Sequence, residues 1–171
     1  MRGDMAGTPD PALAEFMRGW EVHQDRLAAT IAALDLDQLR LRAAPDLWSI
    51  QMLAAHVVAA RAWWFHGWMG EGGEELAGLD AWDDDEGLTD RTGAELAGGL
   101  ERTWAVIADR VASWSATDLE REFQRPTLNA RGERPLRSRL WIIWHLVEHD
   151  LHHGGEISFS LGMHGIPGLD L

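Results

Sequence analysis

The chain has no cysteine, no tyrosine and no lysine, all 15 of its basic residues being arginine. Without cysteine there is no disulfide framework, no cysteine nucleophile and no thiolate zinc site. Any bound metal must take nitrogen and oxygen ligands, and any thiol chemistry must use a thiol carried in by a substrate or cofactor. Without lysine, Schiff-base catalysis and a P-loop are excluded. Cationic surface is scarce as well. The net charge of −13 argues against a nucleic-acid partner, which needs cations to neutralise phosphates. It argues equally against docking on an anionic membrane. No stretch approaches the roughly 20 apolar residues of a membrane span, and Met1 to Glu15 holds no apolar run suited to a signal peptide. The expected location is the cytoplasm.

What is present is globular in character. With 171 residues, 46% of them hydrophobic, the chain reads as a single domain, 1–171, with one core. Ten tryptophans supply large rigid core-filling surface, and about eight of them are expected inside.

Helical periodicity runs through the sequence. Pro11 suits the first turn of a helix to about Leu34, with Leu13, Phe16, Trp20, Leu27, Ile31 and Leu34 on one face. After a connector from Asp35 to Leu47, Ser49 is a good N-cap for a second helix to about Met69. That helix is apolar nearly all round apart from Gln51, Arg61 and its histidines, as befits the middle of a bundle. Gly70 to Asp90 is glycine-rich and acidic; its aspartates lack EF-hand spacing, so it reads as a solvated loop. Thr92 and Glu95 form a capping box for a third helix to about Trp114, with Gly98 and Gly99 weakening its start. Asp118 to Arg137 reads as an irregular loop punctuated by Pro126, Asn129, Gly132 and Pro135. A fourth helix begins near Ser138. No window alternates at period two for long enough to demand a sheet. The fold class is all-α.

The fourth helix carries the chemistry, in the run WIIWHLVEHDLHHGGEI from Trp141 to Ile157. With Trp141 at zero and 100° per residue, His152, His145, Glu156, His149 and His153 fall at about 20°, 40°, 60°, 80° and 120°. Solvated helix faces are built from better helix formers than histidine. Four of the chain's eight histidines on one face point instead to a metal or acid–base site. His149 and His153, one turn apart, can grip one ion, and His145 with His149 has the same spacing. His56, in the buried second helix, is the natural third ligand, since a buried imidazole needs partners at both nitrogens. Three imidazoles suit Zn²⁺, Ni²⁺ or Fe²⁺ with room left for a guest. Glycine at 154 and 155, in helix interior, is explained by a close helix or ligand approach. Glu148 and Glu156 can orient imidazoles, or Glu156 can act as a base. His66 and His164 read as surface residues.

With these residues in view, the chain resembles the DinB-like superfamily of metal-binding four-helix bundles. Those proteins carry a histidine in the second helix within a Trp-Ser…His pattern, here Trp48, Ser49 and His56. They also carry a later histidine signature, here His149, His152, His153, Gly155 and Glu156. Gly154 stands where the family usually has arginine and Glu156 where it has glutamine. The resemblance implies an up-down four-helix bundle with an extended connection between helices 3 and 4. It implies His56, His149 and His153 as metal ligands, His152 outside that set, and commonly a homodimer. Characterised relatives include mycothiol-dependent maleylpyruvate isomerase and other low-molecular-weight-thiol transferases.

The leading functional expectation is therefore a metal-dependent, low-molecular-weight-thiol S-transferase acting on a small-molecule electrophile. Glu156 and His152 are its candidate proton carriers. Arginines 121, 125, 131, 134, 137 and 139 crowd the loop before the fourth helix, and Arg137 and Arg139 are the candidate clamps for cofactor carboxylates. Two alternatives use the same site: a metal-dependent hydrolase, or a non-catalytic metal-binding protein.

Overall fold

The protein's structure, a computed structural model, describes residues 11–83 and 90–170. The first ten residues, and Asp84, Asp85 and Glu86 of the acidic stretch, lie outside the described residues. Along the described chain come α1 (Pro11–Ala32), α2 (Leu36–Leu39) and α3 (Ile50–Ala62), the last running into a π-helical segment, Trp63–Trp68. Next are α4 (Gly73–Leu76), a 3₁₀ turn (Asp80–Asp83), α5 (Gly93–Ala112) and α6 (Ala116–Glu120). A short hairpin of β1 (Glu122–Gln124) and β2 (Leu136–Ser138) precedes α7 (Arg139–Met163).

The long helices begin where the capping chemistry places them. The Ser49 hydroxyl accepts from the Met52 N–H at the start of α3. Thr92 and Glu95 satisfy each other's backbone N–H groups at the start of α5, and Ser138 accepts from the Trp141 N–H at the start of α7. Each hydroxyl supplies an acceptor for a first-turn N–H that has no partner inside the helix. Helix α1 packs on α5, α5 on α3, α3 on α7, and α7 touches α1. The four share one core that includes Leu27, Ile31, Val58, Phe65, Leu100, Ile107, Ile143 and Leu146. No described helix is long and apolar enough to cross a membrane.

Four expectations need correction. The buried face of α1 passes through His23 and Gln24, while Phe16 is exposed. The second helix does not run uniformly to Met69, because its last turn widens into the π-helical segment; such widening re-aims side chains and often marks functional sites. The loop before α7 contains α6 and the antiparallel hairpin, whose three-residue strands are too short to display a period-two pattern. Finally, fewer tryptophans are enclosed than expected: Trp20, Trp68, Trp104 and Trp114 are buried, and Trp63, Trp64 and Trp82 are half-buried. Trp48, Trp141 and Trp144 are exposed.

The glycines of α7 divide. A Cβ on Gly154 would lie 2.7 Å from Cε1 of His23, so the buried His23 ring of α1 packs against α7 where a larger residue would push it aside. Gly155 has open space around it and answers to no close approach. In α5, Gly99 lets the Trp82 ring come within what would be 2.6 Å of a Cβ. That contact anchors the segment leading into Asp83.

Candidate metal centre

On α7 the buried residues Ile142, Leu146, Ile157, Asp150, Ile143, Leu161, Gly154 and Val147 span about 100° to 240° on the wheel that has Trp141 at zero. His149 and His153 stand at one border of this face, half-buried, and His152 lies beyond it in solvent. Trp144 and Leu151 lie across from the histidines and are 53% and 51% exposed, so the far side of α7 is an outer surface. His56 projects from α3 onto the same border. The three imidazoles meet there: Nε2 of His56 is 2.9 Å from Nε2 of His149. The rings of His56 and His149 are 4.8 Å apart, His56 and His153 4.9 Å, and His149 and His153 4.4 Å. One nitrogen from each of the three lies within 4.8 Å of the others.

Two carboxylates decide which nitrogens carry protons. Asp83 Oδ1 is 2.7 Å from His56 Nδ1, and Glu156 Oε2 is 2.7 Å from His153 Nδ1. A carboxylate accepts, so each of these Nδ1 atoms carries the proton and each Nε2 is left with a lone pair. His149 Nε2 faces that of His56, and its own buried Nδ1 has no partner among the described residues. Two nitrogens each about 2.0–2.1 Å from one ion stand about 3–3.4 Å apart at the angles metals use, close to the separation of His56 and His149. The donor set therefore fits a borderline divalent ion.

Asp83 comes from the acidic stretch expected to be a solvated loop. That expectation fails for the 3₁₀ turn Asp80–Asp83, which packs against α3. Asp83→Ala is expected to weaken zinc binding about 10- to 100-fold, the usual cost of losing a carboxylate that orients a ligating histidine. Competition with a chromophoric chelator measures it; an unchanged affinity would show Asp83 to be a bystander.

Burial favours the neutral forms of His149 and His153. His149 is pushed down to about 2, first by burial and then by its neighbours His153 and His56. Burial also lowers His153, against the opposing pull of Glu156. The unfolded chain protonates His149 near 6.5, whereas the folded chain resists until far lower pH. Metal-free protein should then hold its full stability above about pH 6.5 and lose about 1.4 kcal/mol per pH unit on this group as the pH falls below that. Thermal melts of chelator-treated protein between pH 8 and 5 should be flat and then fall. A Tm that holds constant down to pH 5 would contradict the neutral, buried imidazole.

The other expected site residues divide. His152 Nε2 lies 3.6 Å from the second oxygen of Glu156, so that carboxylate links a triad histidine to a solvent-facing one. His145 stays apart from the triad, with Trp141 stacked on it at 5.2 Å and Trp64 at 4.4 Å. His66 is half-buried, with Nδ1 on the Glu71 carbonyl at 3.2 Å, and His164 is at the surface. The Arg137 guanidinium lies 4.7 Å over the Trp141 ring. Arg139, expected as a clamp, is enclosed instead: it is buried, paired with Glu71 at 2.6 Å, and lies 4.1 Å over Trp114. Arg125 is the arginine that reaches the site. It lines a cavity of about 360 Å³ together with His56, His149, His145, Trp63 and Trp64.

Beneath the triad lies a pair that the sequence reading did not single out. Asp150, fully buried next to His149, accepts from Arg61 Nη2 at 2.6 Å and from Trp20 Nε1 at 2.6 Å. Arg61, also fully buried, donates in addition to the Leu100 carbonyl and the Thr103 hydroxyl. This network ties α7 to α1, α3 and α5 behind the three histidines.

The mycothiol S-transferase family model matches residues 3–159. The chain belongs to this family. The match takes in His56, Asp83, His149, His153 and Glu156, so every residue of the centre lies within the part shared with mycothiol S-transferases. Among solved structures, a DinB-like protein from Bacillus cereus is similar to this chain, with a TM-score of 0.67 at 17% identity. The similarity covers 91% of this chain and 95% of that one, and the fold is DinB-like. Comparison with curated protein sequences gives no match.

Proposed function

We propose that this protein is a metal-dependent S-transferase that joins a low-molecular-weight thiol, of which mycothiol is the family's namesake, to a small electrophile. The convergence of one ring nitrogen each from His56, His149 and His153 within 4.8 Å, with carboxylates on Nδ1 of His56 and of His153, carries the reading. These three would hold a divalent ion, Zn²⁺, Ni²⁺ or Fe²⁺. Such an ion supplies a Lewis acid that favours the thiolate form of a thiol at neutral pH.

The chain's own residues do the rest. Asp83 and Glu156 hold the imidazoles of His56 and His153 in the ligating tautomer. Glu156 takes up the thiol proton and passes it through His152 to solvent. A sulfur–carbon bond forms, and the leaving group departs with its electron pair. Arg125, over the Trp63 and Trp68 rings, and Arg137, over Trp141, donate hydrogen bonds to polar groups of the thiol cofactor. The protein has no thiol of its own, so the reaction waits on the cofactor. The proposed setting is the cytoplasm, with the chain acting as one domain.

The test is thiol consumption by zinc-loaded protein given mycothiol and an electrophile. Turnover should require both metal and thiol. Turnover of an ester or amide without thiol would replace this reading with a hydrolase. No turnover of any kind would leave a binding protein.

We further propose a homodimer through the outer face of α7, where Leu140, Trp144 and Leu151 are exposed together. An apolar stripe of this kind is disfavoured in water. Trp144→Glu is expected to convert a dimer to a monomer in analytical ultracentrifugation while leaving zinc content unchanged. A monomeric wild-type chain would refute the dimer.

A further inference from the structure

The triad borders two cavities. His56 and His149 belong to the one that holds Arg125. His153 and Glu156 form a wall of another, of about 420 Å³, lined also by Leu47, Trp48, Leu53 and Phe159. This second volume is ample for a small organic molecule. Its apolar lining reaches the site directly: Trp48 stacks on His153 at 6.3 Å and meets His56 edge-on at 4.9 Å.

One cation separates the two. Both have two carboxylates on their walls, Asp80 and Asp83 in the first and Asp46 and Glu156 in the second, but only the first also has an arginine, Arg125. Arg42, in the same connection, directs its guanidinium at the Leu47 carbonyl and the Met52 sulfur. Leu47 and Phe159 stay 52% and 62% exposed at this cavity, an arrangement costly in water and useful against an apolar guest.

We infer that the Trp48 cavity is the acceptor site, and that it takes apolar or aromatic electrophiles that carry no negative charge. Anionic groups go to the Arg125 side. This division rests on the S-transferase reading only in calling the guest an electrophile; the selectivity itself follows from the lining. A neutral ring displaces water from Leu47, Trp48 and Phe159. A carboxylate on that ring meets Asp46 and Glu156 with no arginine on these walls to offset them.

The experiment is calorimetric binding to the full-length protein, kept metal-free so that no bound ion attracts the carboxylate, of two unreactive probes, 1,3-dinitrobenzene and 3,5-dinitrobenzoate, which share a ring and differ by a carboxylate. The neutral probe should bind, and the anion about tenfold more weakly or worse. Asp46→Arg, a surface change, should narrow that ratio about threefold or more, and Phe159→Ala should weaken the neutral probe about fivefold. Neither variant should alter zinc content. Equal affinities, a ratio untouched by Asp46→Arg, or failure of the neutral probe to bind would overturn the inference. If the probes follow the expected pattern while no thiol is consumed with any electrophile, the transferase reading fails and the cavity's selectivity stands. Thiol transfer with preference for anionic electrophiles would give the reverse.

Discussion

His149→Ala is expected to abolish stoichiometric zinc binding and, with it, thiol transfer. Nε2 of His149 lies 2.9 Å from that of His56 and its ring 4.4 Å from that of His153, so its loss removes a ligand that adjoins both of the others. The fall in affinity should exceed the roughly 10- to 100-fold cost of losing an orienting carboxylate. His153→Ala should behave alike. His152→Ala and His145→Ala should keep the metal, because neither ring is among the three that converge. A linked stability effect serves as a check that does not depend on turnover. Zinc at about 100 times its Kd should raise the stability of the wild-type chain by about 2.7 kcal/mol and leave His149→Ala unchanged. If His145→Ala and His149→Ala lost metal equally, the ligand set would be wrong.

The second large effect lies one residue away. Asp150→Ala should destabilise the fold by about 3–5 kcal/mol, the usual consequence of leaving one buried charge without its partner. For a chain of this size that corresponds to a Tm drop on the order of 10 °C. The cause is the isolation of Arg61, whose remaining partners, the Leu100 carbonyl and the Thr103 hydroxyl, are neutral. Trp20→Phe, which removes a single donor to the same carboxylate, should cost about 1 kcal/mol. Urea melts measure both. An Asp150→Ala variant within 1 kcal/mol of wild type would mean that the buried pair does not hold α7 in place. Asp150 sits behind His149, so the variant that still folds should also bind zinc more weakly.

The parts legible in the sequence are those encoded locally or by spacing. Ser49, Thr92 with Glu95, and Ser138 announce their helices through chemistry confined to a single turn. The histidine face of α7 is visible because 100° per residue converts sequence spacing directly into geometry, and His56 stands out as an imidazole in an otherwise apolar helix. What stayed hidden depends on distant segments meeting. Asp83 looks like any other aspartate of an acidic stretch; only the packing of its 3₁₀ turn on α3, helped by Trp82 against Gly99, gives it a role. The Arg61–Asp150 pair carried a usable signal. One arginine inside an apolar helix requires a buried acid, and Asp150 falls at about 180° on the α7 wheel, in the middle of the core face. The arginines misled for a related reason. Six cluster in one loop, and sequence proximity to α7 does not distinguish Arg139, folded inward onto Glu71, from Arg125, placed beside the triad. The tryptophans misled through composition, since an apolar residue on a helix, such as Trp144, is not obliged to face its own core.

The most direct measurement of the centre is X-ray absorption at the zinc edge, on protein loaded with one equivalent of metal and then given mycothiol. The expected spectrum has three imidazole nitrogens at about 2.0–2.1 Å, joined after thiol addition by one sulfur at about 2.3 Å. Zinc bound by fewer than three imidazoles, or a coordination sphere that thiol leaves untouched, would contradict an open three-histidine site built to receive a thiol.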